Sequence, residues 1–217
     1  MYISDFKMIT NYSELPLRKY YQMKEVLEGD FDIDQQIKLL SIITDTPEDE
    51  LFNMRLSKYE EQLSALDFLT NKPVPKSSIP NKILINGKKY RILKDVSKMT
   101  DGQYIDIQTY YKENLGYEYI LSTILIPEGY KKYSEGYDIQ EVINDILDID
   151  IQTAIDVCFF FQRKLMNSIK TTLIYLDWMI KRIKIPQKKE QLQEIQKMLK
   201  DKLLQLKIGR ASCRERV

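Results

Sequence analysis

Apolar residues recur every three or four positions through most of the chain, a spacing that puts them on one face of an α-helix. Near the N-terminus, helix starts are marked by a small polar residue with an acid or amide three positions later: Asp32 with Gln35, Thr46 with Asp49 and Ser57 with Glu60. These signals predict four short helices, at 16–28, 33–44, 47–53 and 57–70. We therefore expect residues 1–71 to form an N-terminal helical part.

The pattern changes at residues 72–81, which contain three prolines and two serines and predict an exposed linker. Directly after it, Asn86-Gly87 stands between two β-prone runs, the strongest short-range signal for a type I′ turn. We expect one small β-hairpin near 82–94. Because a lone two-stranded hairpin is marginal in water, its apolar residues should pack on helices: Ile83, Ile85, Tyr90 and Ile92.

Helical spacing returns after the hairpin and extends this second part to 82–185. A further capping box opens at Thr100, and the longest helical pattern in the chain, 161–183, ends before Pro186. A C-terminal amphipathic helix follows at 186–207. The predicted fold class is mainly α, with several helices and one small hairpin.

The two helical parts share short sequence patterns. The segments after Ser13 and after Ser97 are similar, as are LLSII near Leu40 and ILSTI near Leu121. A pseudo-repeat of two helical halves bridged by the hairpin would explain this, and so would chance similarity between helical patterns. Both explanations stay open.

Few residues suggest catalytic chemistry. The chain has no histidine, which removes the commonest general base and the commonest transition-metal ligand. Cys158 lies beside three phenylalanines, an apolar setting that raises a thiol pKa, so we interpret it as a core residue. Four acids lack EF-hand spacing, and we interpret them as helix caps and surface groups: Asp145, Asp148, Asp150 and Asp156. We predict no catalytic, cofactor-binding or metal-binding residue and no enzymatic activity.

Composition narrows the partners only slightly. With 43% hydrophobic residues the 217-residue chain can fill a core, and a formal net charge of +1 indicates no partner by bulk electrostatics. No apolar run reaches about 18 residues, and the N-terminus lacks a signal-peptide layout, so we expect a cytosolic protein without a membrane partner. The 15 tyrosines and several lysine pairs suggest nucleic-acid binding, but the acidic residues interleaved with the lysines argue against it.

The last ten residues, 208–217 (IGRASCRERV), lack the Lys, Ile and Tyr bias of the rest of the chain. They also correspond, codon by codon, to a common sequencing-library adapter read in frame. We expect this tail to be an assembly artefact that replaces the natural C-terminus. Without it the formal charge falls from +1 to −1, because three arginines and one glutamate are removed.

Several segments in a fixed order carry a resemblance to a known group of proteins. They include ITNYSELPLRKYYQM, LLSIITDTPEDELFNM, INGKKYRIL and CFFFQRKLMNSIKTTLIYLDWM, and the similarity covers about residues 9–183. The group resembled is a set of tailed-bacteriophage proteins, encoded among virion and tail genes and described as tail assembly chaperone-like or virion-associated. The segments are hydrophobic patterns without invariant chemistry, so no binding residue of the group can be assigned to a position in this chain.

The resemblance implies an interaction protein rather than an enzyme. A chaperone of this kind coats the tape-measure protein and keeps its long apolar helices soluble until tube subunits polymerise around it. We therefore expect a tail or virion assembly factor that binds helical phage proteins, with the tape-measure and tail tube proteins as candidates. Its location would be the host cytoplasm during infection, or the virion. A minor virion structural or packaged protein is one alternative, and a nucleic-acid-binding regulator is another; the oligomeric state stays open.

Overall fold

The computed structural model describes residues 9–28, 32–76, 78–183 and 185–215. The predicted segments 1–71, 72–81, 82–185 and 208–217 each include residues outside these ranges. Within the described residues the α-helices are α1 Leu17–Leu27, α2 Ile33–Thr44, α3 Glu48–Phe52, α4 Leu56–Ser64, α5 Asp101–Lys112, α6 Tyr117–Ile124, α7 Ile139–Ile146, α8 Ile151–Arg182 and α9 Pro186–Glu215. Two 3₁₀ helices, Ala65–Thr70 and Val96–Lys98, and three strands, β1 Lys82–Ile85, β2 Lys88–Ile92 and β3 Leu125–Pro127, complete the architecture. The mainly helical prediction is confirmed.

Local capping explains where several helices begin. The Asp32 side chain accepts a hydrogen bond from the Gln35 backbone N–H at 2.9 Å and starts α2 as predicted. At the start of α5, Thr100 accepts from the Gln103 N–H, and the Gln103 side chain accepts from the Thr100 N–H at 3.0 Å. Thr100 is half-buried and Gln103 is buried. The capping box therefore provides hydrogen-bond acceptors for the backbone N–H groups of both residues.

Two predicted caps in the N-terminal part are wrong. No side chain caps α3, because the buried Thr46 hydroxyl pairs with the Thr44 hydroxyl at 2.9 Å instead of turning back on the helix. The next helix, α4, begins at Leu56, which places Ser57 inside the helix rather than at its cap. The helical turns still form where the apolar spacing predicts them.

The predicted type I′ hairpin is confirmed. Ile85 pairs with Lys88 across the turn, and Asn86 and Gly87 both have positive φ, at 49° and 77°. Three of the four predicted packing residues are buried and the fourth, Ile83, is half-buried against the core. A third strand was not predicted: β3 pairs antiparallel with β2 and gives the sheet order β1-β2-β3. It continues the apolar run of α6 without a turn signal, so helix and strand cannot be separated in the sequence.

One hydrophobic core joins the two helical parts. Its buried residues run from Ile9 to Phe161 along the chain and come from both sides of the linker. The centre of the core is α6, where Leu121 and Ile124 are fully buried, packed between α5, α7 and α8. The similar sequence patterns lie on α1 and α2 and on α5 and α6, so each pair occupies consecutive helices.

Polar contacts fasten the sheet to α7. Lys88 Nζ lies 2.8 Å from Asp145 Oδ2 and 2.6 Å from Glu141 Oε1. The ring of Tyr90 is buried, and its hydroxyl donates a hydrogen bond to Asp145. This carboxylate therefore links β2 to α7 through a charged and a neutral donor.

We expect Asp145→Asn to destabilise the protein in a pH-dependent way. Burial raises the pKa of Asp145, but the hydrogen bonds from Lys88 and Tyr90 outweigh it and hold the pKa below its usual 3.8. A carboxyl with a lowered pKa stabilises the fold above its unfolded pKa, and this contribution is lost as the pH falls through the folded pKa. Urea unfolding should give a deficit of about 1 kcal/mol at pH 7, since Lys88 is half exposed. The deficit should shrink below about pH 4; a constant deficit down to pH 2 would contradict the linkage.

Candidate partner-binding surface

The long helix α8 lies in two environments. Asp150 starts it by accepting a hydrogen bond from the Thr153 N–H at 2.8 Å, and its 32 residues span about 48 Å. Its first half is buried in the core, whereas beyond Ile169 only Leu176 and Ile180 are buried among the described residues. The second half packs on α9, which runs antiparallel to it. Gln162 Nε2 donates to the Leu206 carbonyl at 3.1 Å, near the far end of α9.

Apolar side chains on the second half of α8 point away from α9. Ile174 is 73% exposed, Tyr175 58% and Trp178 48%. Residues three and four apart are neighbours on a helix, so these side chains and Arg182 form one face, here named the outer face of α8. It lies opposite a stripe on the same helix that consists of Ile169, Leu173, Leu176 and Ile180. Ile169 and Leu173 belong to one hydrophobic cluster with Leu199 and Leu203 of α9.

The outer face is organised by ring contacts. Tyr175 and Trp178 are stacked, with ring centroids 6.0 Å apart and an angle of 19° between the planes. The guanidinium carbon of Arg182 lies 3.9 Å from the centroid of the Trp178 ring. Stacked aromatic and arginine side chains lose little conformational freedom on binding, and Trp, Tyr and Arg are enriched among the residues that dominate binding energy in protein interfaces. The face therefore has the composition of a docking surface rather than of ordinary solvent-exposed helix.

Charge is segregated between this region and the rest of the chain. Residues 163–207 contain 12 lysines and arginines against 4 acidic residues, whereas residues 1–162 contain 18 against 27. The near-neutral net charge thus averages an acidic body and a basic pair of helices. A surface of this kind attracts acidic partners and disfavours basic ones.

The outer face was not identified from the sequence. The main apolar stripe at 161–183 consists of residues that face the core and α9. A second, shorter set of apolar residues lies between its members and is less apparent in the sequence. Ile174 and Trp178 are four residues apart and fall between the members of the main stripe. A second apolar spacing on an already amphipathic helix is the signal that could have revealed the face.

The residues weighed as candidates from the sequence have structural roles. Cys158 is buried in the core, as predicted. Each of the four acids accepts a hydrogen bond from a protein group. The donors are Lys88 to Asp145, Arg18 to Asp148, the Thr153 N–H to Asp150, and the Lys76 N–H to Asp156. Among the described residues, no group of three or more His, Cys, Asp or Glu side chains is placed to hold a metal ion.

A cleft of about 200 Å³ lies between α1, α5 and the start of α6. Five tyrosines contribute to its lining: Tyr20, Tyr21, Tyr110, Tyr111 and Tyr117. The Tyr21 hydroxyl accepts a hydrogen bond from the Tyr117 N–H at 2.8 Å and donates one to Glu118 Oε2 at 2.5 Å. Burial raises the pKa of Tyr21, with the charge of Glu118 adding to the effect, and burial raises the pKa of Tyr20 to about 12. These hydroxyls stay protonated near pH 7, so the cleft offers stacking and hydrogen bonds rather than acid–base chemistry.

None of the described helices is both long enough and apolar enough to cross a lipid bilayer. Comparisons with protein-family models, with curated proteins and with solved structures gave no significant match. The resemblance to phage tail assembly proteins therefore stays a prediction from the sequence.

We expect the outer face to contribute little to folding stability. Trp178→Ala should change the free energy of unfolding by less than about 1 kcal/mol, because the side chain is half exposed. The matched control is Leu176→Ala on the α9 side of the same helix, which should cost about 2–4 kcal/mol because Leu176 is buried. Denaturant titrations followed by circular dichroism measure both. Equal losses in the two variants would mean that the outer face is structural.

We expect Gly116→Ala to loosen the junction of α1 and α6. An added Cβ would clash with the Tyr21 hydroxyl oxygen and with the Glu118 carboxylate, so at least one of these side chains must shift and weaken the hydrogen bonds that Tyr21 makes. The loss should be about 1–3 kcal/mol in the free energy of unfolding. Gly102→Ala is the control, since its Cβ would meet only the Thr100 hydroxyl at 3.9 Å. Equal stability of the two variants would contradict the role of the Tyr21 contacts.

Proposed function

We propose that this chain is a non-enzymatic assembly factor of a tailed bacteriophage that binds helical partner proteins, with the tape-measure protein as the leading candidate. The outer face of α8 carries the proposal. It presents Ile174, Tyr175 and Trp178 to solvent on a helix whose opposite side is already occupied by α9. The resemblance of residues 9–183 to phage tail proteins supports the biological setting.

The chemistry of the face defines the partner. An amphipathic helix lays its apolar side chains, spaced at i, i+3, i+4 and i+7, along an apolar surface. Here such a helix would cover Trp178 and Ile174, and acidic residues on its flanks would meet the lysines and arginines of α8 and α9. Covering long apolar helices with a charged protein is what keeps them soluble before a tube assembles around them. The proposed location is the host cytoplasm during infection.

A packaged or structural virion protein is the nearest alternative in the same biology. It would use the same outer face, but to hold a neighbour permanently in the particle. The two roles differ in one observable, because an assembly chaperone is absent from finished virions and a structural protein remains there.

A nucleic-acid-binding role is a second candidate, and one observation favours it. The basic excess of residues 163–207 lies beside a stacked Tyr175, Trp178 and Arg182, and aromatic rings with cations are what single-stranded nucleic acids bind. Such binding should weaken steeply with salt, since it releases counterions from the phosphates. A helical partner held by apolar contacts should dissociate much less as salt is added.

We expect the outer face to bind amphipathic segments of the tape-measure protein that carry acidic flanks. The test variant combines Trp178→Ala with Arg182→Gln, and titration calorimetry of purified protein with the peptides gives the affinity. Removing both anchors should weaken binding at least about tenfold. Leu84→Ala is the control, because Leu84 is also an exposed apolar side chain but lies on β1 rather than on α8. Unchanged affinity in the outer-face variant would place the binding site elsewhere.

The biological setting needs its own experiment. The tagged full chain is purified from infected host cells, co-purifying proteins are identified by mass spectrometry, and purified virions are searched for the same chain. Recovery of the tape-measure or tube protein, with the chain absent from virions, supports the chaperone. Abundance in virions supports a structural role. If no phage protein co-purifies and the chain is also absent from virions, the phage assignment is wrong.

A further inference from the structure

A cleft of about 230 Å³ lies between α2 and α3, in the acidic body of the protein. We name it the acidic cleft. It is lined by Asp34, Ile37, Lys38, Glu48, Asp49 and Phe52. Phe52 is 73% exposed, an unusual position for a phenylalanine. The cleft therefore combines an uncovered aromatic ring with three carboxylates and one lysine.

The acidic cleft and the outer face of α8 have complementary properties. One presents Phe52 among Asp34, Glu48 and Asp49, and the other presents Trp178 beside Arg182. Both expose large apolar side chains, so contact between them would remove apolar surface from water. Their charges are opposite in sign, which orients and accelerates association.

Neither surface is complementary to itself. Two acidic clefts brought together would repel each other, and so would two outer faces with their surrounding lysines and arginines. A symmetric dimer through either surface is therefore disfavoured. The acidic cleft of another copy of the same chain fits the outer face in both charge and apolar character.

We propose that the chain self-associates head to tail, with the outer face of α8 of one copy seated on the acidic cleft of the next. In this contact Trp178 packs against Phe52, and Arg182 pairs with the carboxylates of Glu48 and Asp49. Each added copy leaves one cleft and one outer face open, so the contact propagates into open chains unless its geometry closes a ring. The inference rests on the proposed function in one respect, because the acidic cleft would cover the same face that a helical partner uses and would compete with it.

The first experiment is sedimentation velocity of the full-length protein over a concentration series. The wild type should associate as the concentration rises to the order of 100 μM, and it should grow beyond a dimer unless two copies close a ring. High salt should weaken the association in part, because it screens the pairing of Arg182 with Glu48 and Asp49 but not the contact of Trp178 with Phe52. A monomer throughout would overturn the proposal. A complex of fixed size fits a closed ring, and it would overturn the proposal if it persisted in the two surface variants that follow.

Two matched variants test the pairing of surfaces. The face variant carries Trp178→Ala and Arg182→Gln, and the cleft variant carries Phe52→Ala and Glu48→Gln, so each removes one exposed ring and one charge. Each alone should be monomeric, with association weakened at least about tenfold, and circular dichroism should show that each is folded. In an equimolar mixture, the intact cleft of the face variant should bind the intact face of the cleft variant. The product should be a one-to-one heterodimer that grows no further, because the surfaces left open at its two ends are both mutated. No association in the mixture of folded variants would overturn the head-to-tail contact.

The helical-peptide titration separates this inference from the proposed function. The cleft variant keeps its outer face, so it should bind acidic amphipathic peptides at least as tightly as the wild type. If the wild type does not self-associate but binds these peptides, the self-association is wrong and the proposed function stands. If the wild type self-associates but the cleft variant, whose outer face is uncovered, binds no helical peptide, the proposed function is wrong and the contact between copies stands.

Discussion

The burial of the first half of α8 is the contact on which the rest of the structure depends. Helix α8 packs against α6, and its buried residues Ala154, Val157 and Phe161 belong to the same core as the N-terminal helices and the sheet. Packing of this kind is sensitive to the loss of single methylene groups, so the position of α8 is set to within small tolerances. Whatever the second half of α8 presents to a partner is positioned by this buried first half.

The proposed binding surface and the surface that supports it lie on opposite sides of one helix. The side of α8 that contacts α9 is mainly aliphatic, as Leu165 and Ile169 show, whereas the outer face carries exposed aromatic rings. Because the outer side chains are largely exposed, we expect substitutions there to leave the fold intact. A site built on a continuous helix also loses little freedom on binding, since its backbone is already ordered.

How much the sequence predicts depends on what each signal measures. Helical spacing and caps such as Asp32 locate most helices, and the Asn86-Gly87 turn is read correctly because positive φ at both positions has few other causes. The strand β3 is missed because it follows α6 within one apolar run, where only tertiary pairing with β2 distinguishes strand from helix. The outer face is missed because the main apolar stripe of α8 dominates the spacing pattern. The charge segregation is missed because a net charge sums over the whole chain. These two effects conceal Trp178 and the basic excess around it.

The backbone bridge between Pro16 and Asp150 has a consequence for synthesis on the ribosome. Hydrogen bonds from the Leu17 N–H to the Ile149 carbonyl at 2.8 Å and from the Ile151 N–H to the Leu15 carbonyl at 2.9 Å join the start of the first helix to the start of α8. At about 5–20 residues per second, α8 emerges on the order of ten seconds after α1. During that interval the nascent N-terminal helices carry apolar surface with no core to cover it. Their acidic residues would then keep an incomplete chain from aggregating while it is being made.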